Sequence, residues 1–195
     1  HCPAVVLGTF DYALWDIAGK RYDLPVYKLI GAAREKVAAY GSTMHHGSDE
    51  RFLEVVDQAL ALGLRAIKLH PYGVAKDDVL LCEKVRAHVG DDIALMLDSM
   101  GYPGPYDRAD AFYVAEALDA LSFHWFEDPL HRTDLLGLAE LRRACRKVKI
   151  RMADRVADIR EYEPFLRHQC MDIMAGPGFF GITDVEFVAA DAMVF

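Results

Sequence analysis

The sequence predicts an α/β fold of about six βα units, a partial (β/α)₈ barrel of the TIM type, with an open doubly wound sheet as the competing arrangement. Three observations carry that expectation. From residue 37 onward short apolar runs alternate with amphipathic stretches, the pattern of repeated βα units. No Ser- or Pro-rich linker interrupts the alternation. Four of the six runs end in an ionisable side chain, His70, Asp98, Glu127 and Asp154, at separations of 28, 29 and 27 residues. Each step is one βα unit, and strand ends on one rim are where a barrel collects its chemistry; the carboxyl edge of an open sheet does the same less sharply. No G-x-G-x-x-G follows the first run, so the mark of a dinucleotide-binding sheet is missing.

Taken in order, residues 1–36 read as a helical segment leading into the barrel, and residues 37–195 as an incomplete barrel domain. Strands are expected at 37–42, 65–70, 93–98, 122–127, 149–154 and 171–175. The clearest helix is "SDERFLEVVDQALALG". Ser48 caps it, Asp49 and Glu50 suit its positive end, Gly63 stops it, and Phe52, Val55, Val56, Ala59 and Leu60 form its buried stripe. Asp107, Thr133 and Asp158 are expected to cap later helices, Pro164 to kink or shorten the one after Asp158, and a last helix to run over 183–195.

Composition bounds the function. A chain of 195 residues, 53% hydrophobic and 27% charged, can bury one sizeable core. Thirty acidic against 22 basic side chains give a formal charge of -8, which argues against a nucleic-acid or anionic-membrane surface and is compatible with binding cations. Cys2, Cys82, Cys145 and Cys170 are scattered without a C-x-x-C pair, so neither a zinc site nor a disulfide framework is indicated, and a cytoplasmic setting is expected. No apolar run approaches the ~20 residues of a membrane span, and the start lacks a signal-peptide pattern. The first residue is His1, and the chain is expected to be a fragment.

The chemistry lies at the strand ends. In "AIKLHPYG" side chains alternate faces, so Lys68 and His70 point one way and Ile67 and Leu69 the other. Asp98, Glu127 and Asp154, converging from successive strands, would repel one another unless a cation or protons neutralised them. Oxygen-only ligands select a hard ion, and Mg²⁺ suits three carboxylates better than zinc does.

With these residues in hand the chain resembles the mandelate racemase and muconate-lactonising branch of the enolase superfamily. "FDYALWDIAGKRYDLPVYKLIG" is similar to the family's stretch ahead of the barrel, "IKLH" sits where its K-x-K pair sits, and "LMLD", "WFEDP" and "RMAD" stand at its three metal-ligand positions. The resemblance implies a (β/α) barrel domain, Mg²⁺ held by Asp98, Glu127 and Asp154, Lys68 beside the substrate carboxylate, and His70 as the base in place of the family's second lysine. Family sites of this kind remove a proton alpha to a carboxylate through a metal-stabilised enediolate. The third ligand, usually glutamate, is the shorter Asp154 here. The aspartate the family often carries after its sixth strand falls near Ala175 or Gly176. The resemblance also implies an N-terminal capping domain and two further βα units, and the chain is expected to be truncated with respect to both.

The expected function is therefore a magnesium-dependent lyase of the acid-sugar dehydratase type acting on a small hydroxy-carboxylate. The alternatives are a racemase or epimerase of a 2-hydroxy acid, or a barrel fragment without activity. No nucleic-acid or membrane partner is expected, and association into a homo-oligomer is. Ser42, at the first strand's end, is a candidate substrate contact. His45 and His46 read as loop, Trp125 as barrel interior, Asp172 as a structural strand-start residue, and "GPGFFG" as a turn.

Overall fold

The computed structural model describes residues 4–32, 34–99, 106–152, 161–175, 181–183 and 185. The chain forms two compact units, one of residues 39–152 and 168–174, the other of residues 1–38, 153–167 and 175–195.

The larger unit holds six parallel strands, β1 Gly41–Ser42, β2 Ala66–Leu69, β3 Ala94–Asp98, β4 Trp125–Glu127, β5 Lys149–Met152 and β6 Ile173–Met174. They lie in sequential order from β1 to β6. A doubly wound sheet reverses its strand order partway, so sequential parallel pairing is the wall of a (β/α) barrel. The helices of this unit are α3 Asp49–Ala61, α4 Ala75–Val89, α5 Arg108–Ala120 and α6 Leu135–Ala144.

Alternation along the strands separates core from chemistry. Ile67, Leu69, Leu95, Leu97, Phe126 and Ile150 are fully buried, and between them stand Lys68, Met96, Asp98, Glu127 and Arg151. Burying each large apolar side chain contributes about 1.5–3 kcal/mol, so the apolar set fixes the register. A one-residue slip would send every charged group into the hydrophobic layer. Phe52 and Val56 of α3 join this core, while Val55, Ala59 and Leu60 are half-buried.

The helix starts follow local chemistry. Ser48 Oγ accepts from Arg51 N and Asp107 Oδ1 from Asp110 N, as expected of N-caps. Thr133 is not a cap. Asp134 takes that role, its Oδ1 accepting from Gly137 N at 3.0 Å, because the carboxylate stands one residue nearer the helix and Thr133 Oγ1 is engaged by the His131 ring at 2.7 Å. β1 is shorter than expected: Val37 is 82% exposed, and only Gly41 and Ser42 pair with β2.

At the amino ends of the strands, polar side chains tie the loops together. Arg86 donates to the carbonyls of Gly90, Ile93, Leu121 and Ser122 at 2.7–3.3 Å. Asp119 accepts from the backbone N–H groups of Arg146, Lys147 and Val148 at 2.7, 2.8 and 2.7 Å. Asp172 accepts from Ile150 N and from Arg142 Nε, the structural role expected of it.

In the second unit α1 spans Ala4–Tyr22, α2 Val26–Leu29 and α7 Tyr162–Arg167. Asp11 of α1 accepts from Thr183 N and Oγ1, and Trp15 Nε1 donates to Thr183 Oγ1. Pro164 falls in the first turn of the six-residue α7, where its missing N–H is tolerated. Asp158, and Asp184 and residues 186–195 of the expected last helix, lie outside the described residues. No described helix is long and apolar enough to cross a membrane, and Cys82, Cys145 and Cys170 are free thiols.

Candidate active site

Parallel pairing sets the site. Lys68 is in Cα register with Ser42 on one side and Met96 on the other, Asp98 with Glu127, and Glu127 with Arg151. Register partners in a sheet present their side chains to the same face. β2, β3, β4 and β5 therefore deliver Lys68, Asp98, Glu127 and Arg151 to one surface, with His70 immediately beyond β2.

These groups meet. Lys68 Nζ donates to Asp98 Oδ2 at 2.7 Å and to Glu127 Oε2 at 3.1 Å, and His70 Nε2 lies 3.0 Å from the same Asp98 oxygen. Glu127 is 1% exposed, and Lys68, His70 and Asp98 are each under 10%. Burial pushes the Asp98 carboxyl upward, but the hydrogen bonds from His70 and Lys68 outweigh it and hold the group below the ordinary aspartate value.

Thr43 seats the imidazole. Its Oγ1 accepts from His70 N at 3.0 Å, and its carbonyl oxygen lies 2.5 Å from His70 Nδ1. A carbonyl only accepts, so Nδ1 carries a proton and Nε2 is the nitrogen turned toward Asp98. Thr43 is held in turn by its own N–H donating to Lys68 O at 2.9 Å.

Glu127 is oriented through both oxygens. Oε2 also accepts from Trp125 Nε1 at 3.1 Å, and Oε1 pairs with the Arg151 guanidinium. Arg151 stacks over the Trp125 ring, 5.6 Å from its centroid. Lys68 Nζ lies 5.8 Å from the centroid of Tyr40, which meets Trp125 edge-on. His45 Nδ1 sits 2.9 Å from Pro71 O, its ring 6.1 Å from that of His70.

The structure thus brings together four of the residues singled out from sequence, Lys68, His70, Asp98 and Glu127. Ser42 is exposed on β1, in register with Lys68. Asp154 lies outside the described residues. Thr43, Tyr40 and Arg151 were not anticipated. Arg151 was detectable, because it occupies the position of the fifth strand that parallel register places beside Glu127.

A hard divalent cation fits the donors present. Two buried carboxylate oxygens from neighbouring strands converge on one point, which the Lys68 ammonium occupies, and anionic oxygen is the donor type that Mg²⁺ selects. Asp98 and Glu127 are the described residues that could hold it. Among the described residues no group of three His, Cys, Asp or Glu is placed to hold a metal.

Two carboxylates, a lysine and a histidine thus stand together at the strand ends of a (β/α) barrel wall, the rim where such folds collect their chemistry. The chain belongs to the enolase C-terminal domain-like family, which residues 51–190 match. It is 26% identical over 206 residues to the D-gluconate dehydratase of Thermoproteus tenax, an alignment covering 98% of this chain and 41% of that protein. Among solved structures, D-glucarate dehydratase from Agrobacterium tumefaciens, complexed with magnesium, superposes with a TM-score of 0.87 at 30% identity, covering 97% of this chain and 53% of that one. A racemase from Streptomyces coelicolor with bound magnesium gives 0.89 at 27% identity, covering 98% and 54%. The chain therefore spans about half the length of the relatives it matches, which include both acid-sugar dehydratases and racemases.

Proposed function

We propose that this chain carries the catalytic barrel residues of a magnesium-dependent dehydratase of acid sugars or similar hydroxy acids. The single observation behind the reading is the convergence of Asp98 Oδ2 and Glu127 Oε2 on Lys68 Nζ, with His70 Nε2 3.0 Å from Asp98 Oδ2. Asp98 and Glu127 hold the ion in this reading, with Asp154, outside the described residues, as the third ligand. When bound, Mg²⁺ supplies Lewis-acid stabilisation of negative charge on the substrate carboxylate.

The chain's own groups do the rest. Lys68 sets a compact positive charge against the carboxylate. His70, its Nδ1–H fixed on Thr43 O, takes the alpha proton at Nε2 in the neutral form of the ring, in which that nitrogen no longer donates to Asp98, and the C–H electron pair passes into the carboxylate. Expulsion of the beta-hydroxyl as water, carrying away the proton that His70 Nε2 has taken, returns that electron pair to form an enol and restores the base. The enol tautomerises to the 2-keto acid.

One-base chemistry is supported at β6. Near the end of this strand the family often carries an aspartate for the opposite face; the position falls near Ala175 or Gly176, neither of which has a side chain that takes a proton, and Ala175 is fully buried. The likeness to a racemase keeps a second reading, inversion of a 2-hydroxy acid, within the test. The chain is incubated with Mg²⁺ and a panel of acid sugars in deuterated water. A 2-keto product supports dehydration. Deuterium incorporation with inversion and no loss of water replaces it with racemisation, and no Mg²⁺ binding at millimolar metal favours a barrel fragment without activity.

A further inference from the structure

One buried carboxylate takes no part in the chemistry above. Asp78 is 0% exposed, and among the described residues no lysine or arginine pairs with it. Burying an unpaired charge costs several kcal/mol unless hydrogen bonds compensate. Asp78 has three. Oδ1 accepts from Tyr72 N at 2.8 Å, and Oδ2 accepts from Gly73 N at 3.1 Å and from the Tyr106 hydroxyl at 2.5 Å.

The direction of these bonds is unusual. The N-cap of α4 is Val74, which offers no side-chain cap. An ordinary capping box reaches back from the third helical residue to the N-cap N–H. Asp78, the fourth, reaches past the cap to the two residues before it, whose amides follow His70 and Pro71 directly. Gly73 has φ +82°, a conformation that disfavours side-chain-bearing residues and that turns its N–H to the carboxylate. Tyr72 is anchored again by its hydroxyl, which donates to Asp49 Oδ1 at 2.6 Å. Tyr106, packed against Phe126, comes from the connection between β3 and α5. One carboxylate therefore joins the loop leaving His70 to the connection that follows Asp98.

We propose that Asp78 is a positioning residue for His70: by holding the Tyr72 and Gly73 amides and the Tyr106 hydroxyl, it fixes the path of the loop and with it the seat of the imidazole between Thr43 O and Asp98. Its catalytic value rests on the reading of His70 as base, but the geometry does not.

The test is the ¹H–¹⁵N spectrum of the histidine side chains in the full chain. The 2.5 Å contact between His70 Nδ1 and Thr43 O gives a downfield Nδ1–H resonance, assigned by its loss in His70→Gln. Asp78→Asn keeps the shape but replaces one acceptor oxygen by a donor. It is expected to shift or broaden the His70 resonance while His88 and His131 stay in place, and, on a substrate found by the panel above, to lower kcat on the order of 100-fold with KM little changed. An unmoved His70 resonance in a variant that is merely less stable overturns the proposal. If Asp78→Asn does not fold, Tyr106→Phe, which removes one hydrogen bond, is measured in its place and judged by the same criterion. A shifted resonance in a chain that turns over no acid sugar sustains the positioning role while removing the dehydratase reading.

Discussion

Lys68 Nζ lies 2.7 Å from Asp98 Oδ2 and also bridges to Glu127 Oε2, so one ammonium from β2 is shared by two carboxylates delivered by β3 and β4. Removing it strands negative charge in a buried place. Lys68→Met is expected to cost about 3 kcal/mol in urea denaturation, besides abolishing turnover. A loss below about 1 kcal/mol, the range of an exposed ion pair, would show that the bridge contributes little to the fold.

His70 touches Asp98 but is not proposed as a ligand. Replacing it with alanine should lower kcat by about 10²–10⁴, the usual range for a general base. Mg²⁺ affinity, read by titration calorimetry, should remain within about threefold. Loss of Mg²⁺ binding in His70→Ala would reassign the imidazole to the cation.

Asp119 links acid stability to a loop. Burial raises its pKa, but the three backbone N–H groups of residues 146–148 prevail and hold it below the ordinary value. A depressed carboxyl contributes stability that is present above the unfolded pKa of about 3.9 and is lost as pH falls through the folded value. In Asp119→Asn the decline of stability below about pH 4 should therefore be shallower than in the parent chain, followed by urea melts from pH 6 to the acid limit. Parallel curves would refute the assignment.

Gly41 is fixed by close packing. A Cβ there would stand 3.1 Å from Ala59 Cβ and 3.1 Å from Ile67 Cδ1. Gly41→Ala should cost about 1–3 kcal/mol through overpacking between α3 and β2, measured as a lowered urea midpoint with an unchanged slope. An unchanged midpoint would mean that α3 yields without strain.

The periodicity of ionisable residues at strand ends foretold the barrel wall, because each βα unit repeats one geometry and carries its polar residue to the same rim. It placed His70, Asp98 and Glu127 on one rim for the same reason, and the alternation of side chains along a strand set Lys68 beside His70. What the sequence hid were groups whose role depends on a neighbour far along the chain. Thr43 carries no motif, and its carbonyl matters only because β1 lies beside His70. Arg151 looks like a surface residue inside "KIRMAD" until pairing sets it next to Glu127. The pair Asp77 and Asp78 reads as two charges suiting a helix start, and nothing local says that the second is buried. Thr133 and Asp134 compete for one cap, a difference of a single residue that helix signals do not resolve.

The anchors made by Arg86 and Asp119 stand at the opposite mouth of the strands from Lys68 and Glu127. Durability and reactivity are therefore assigned to separate ends of the same scaffold. A laboratory selection for heat tolerance that accepts changes only among the lower loops would leave the reacting groups untouched, whereas selection for a new substrate would work on the upper rim and draw on the reserve laid down below.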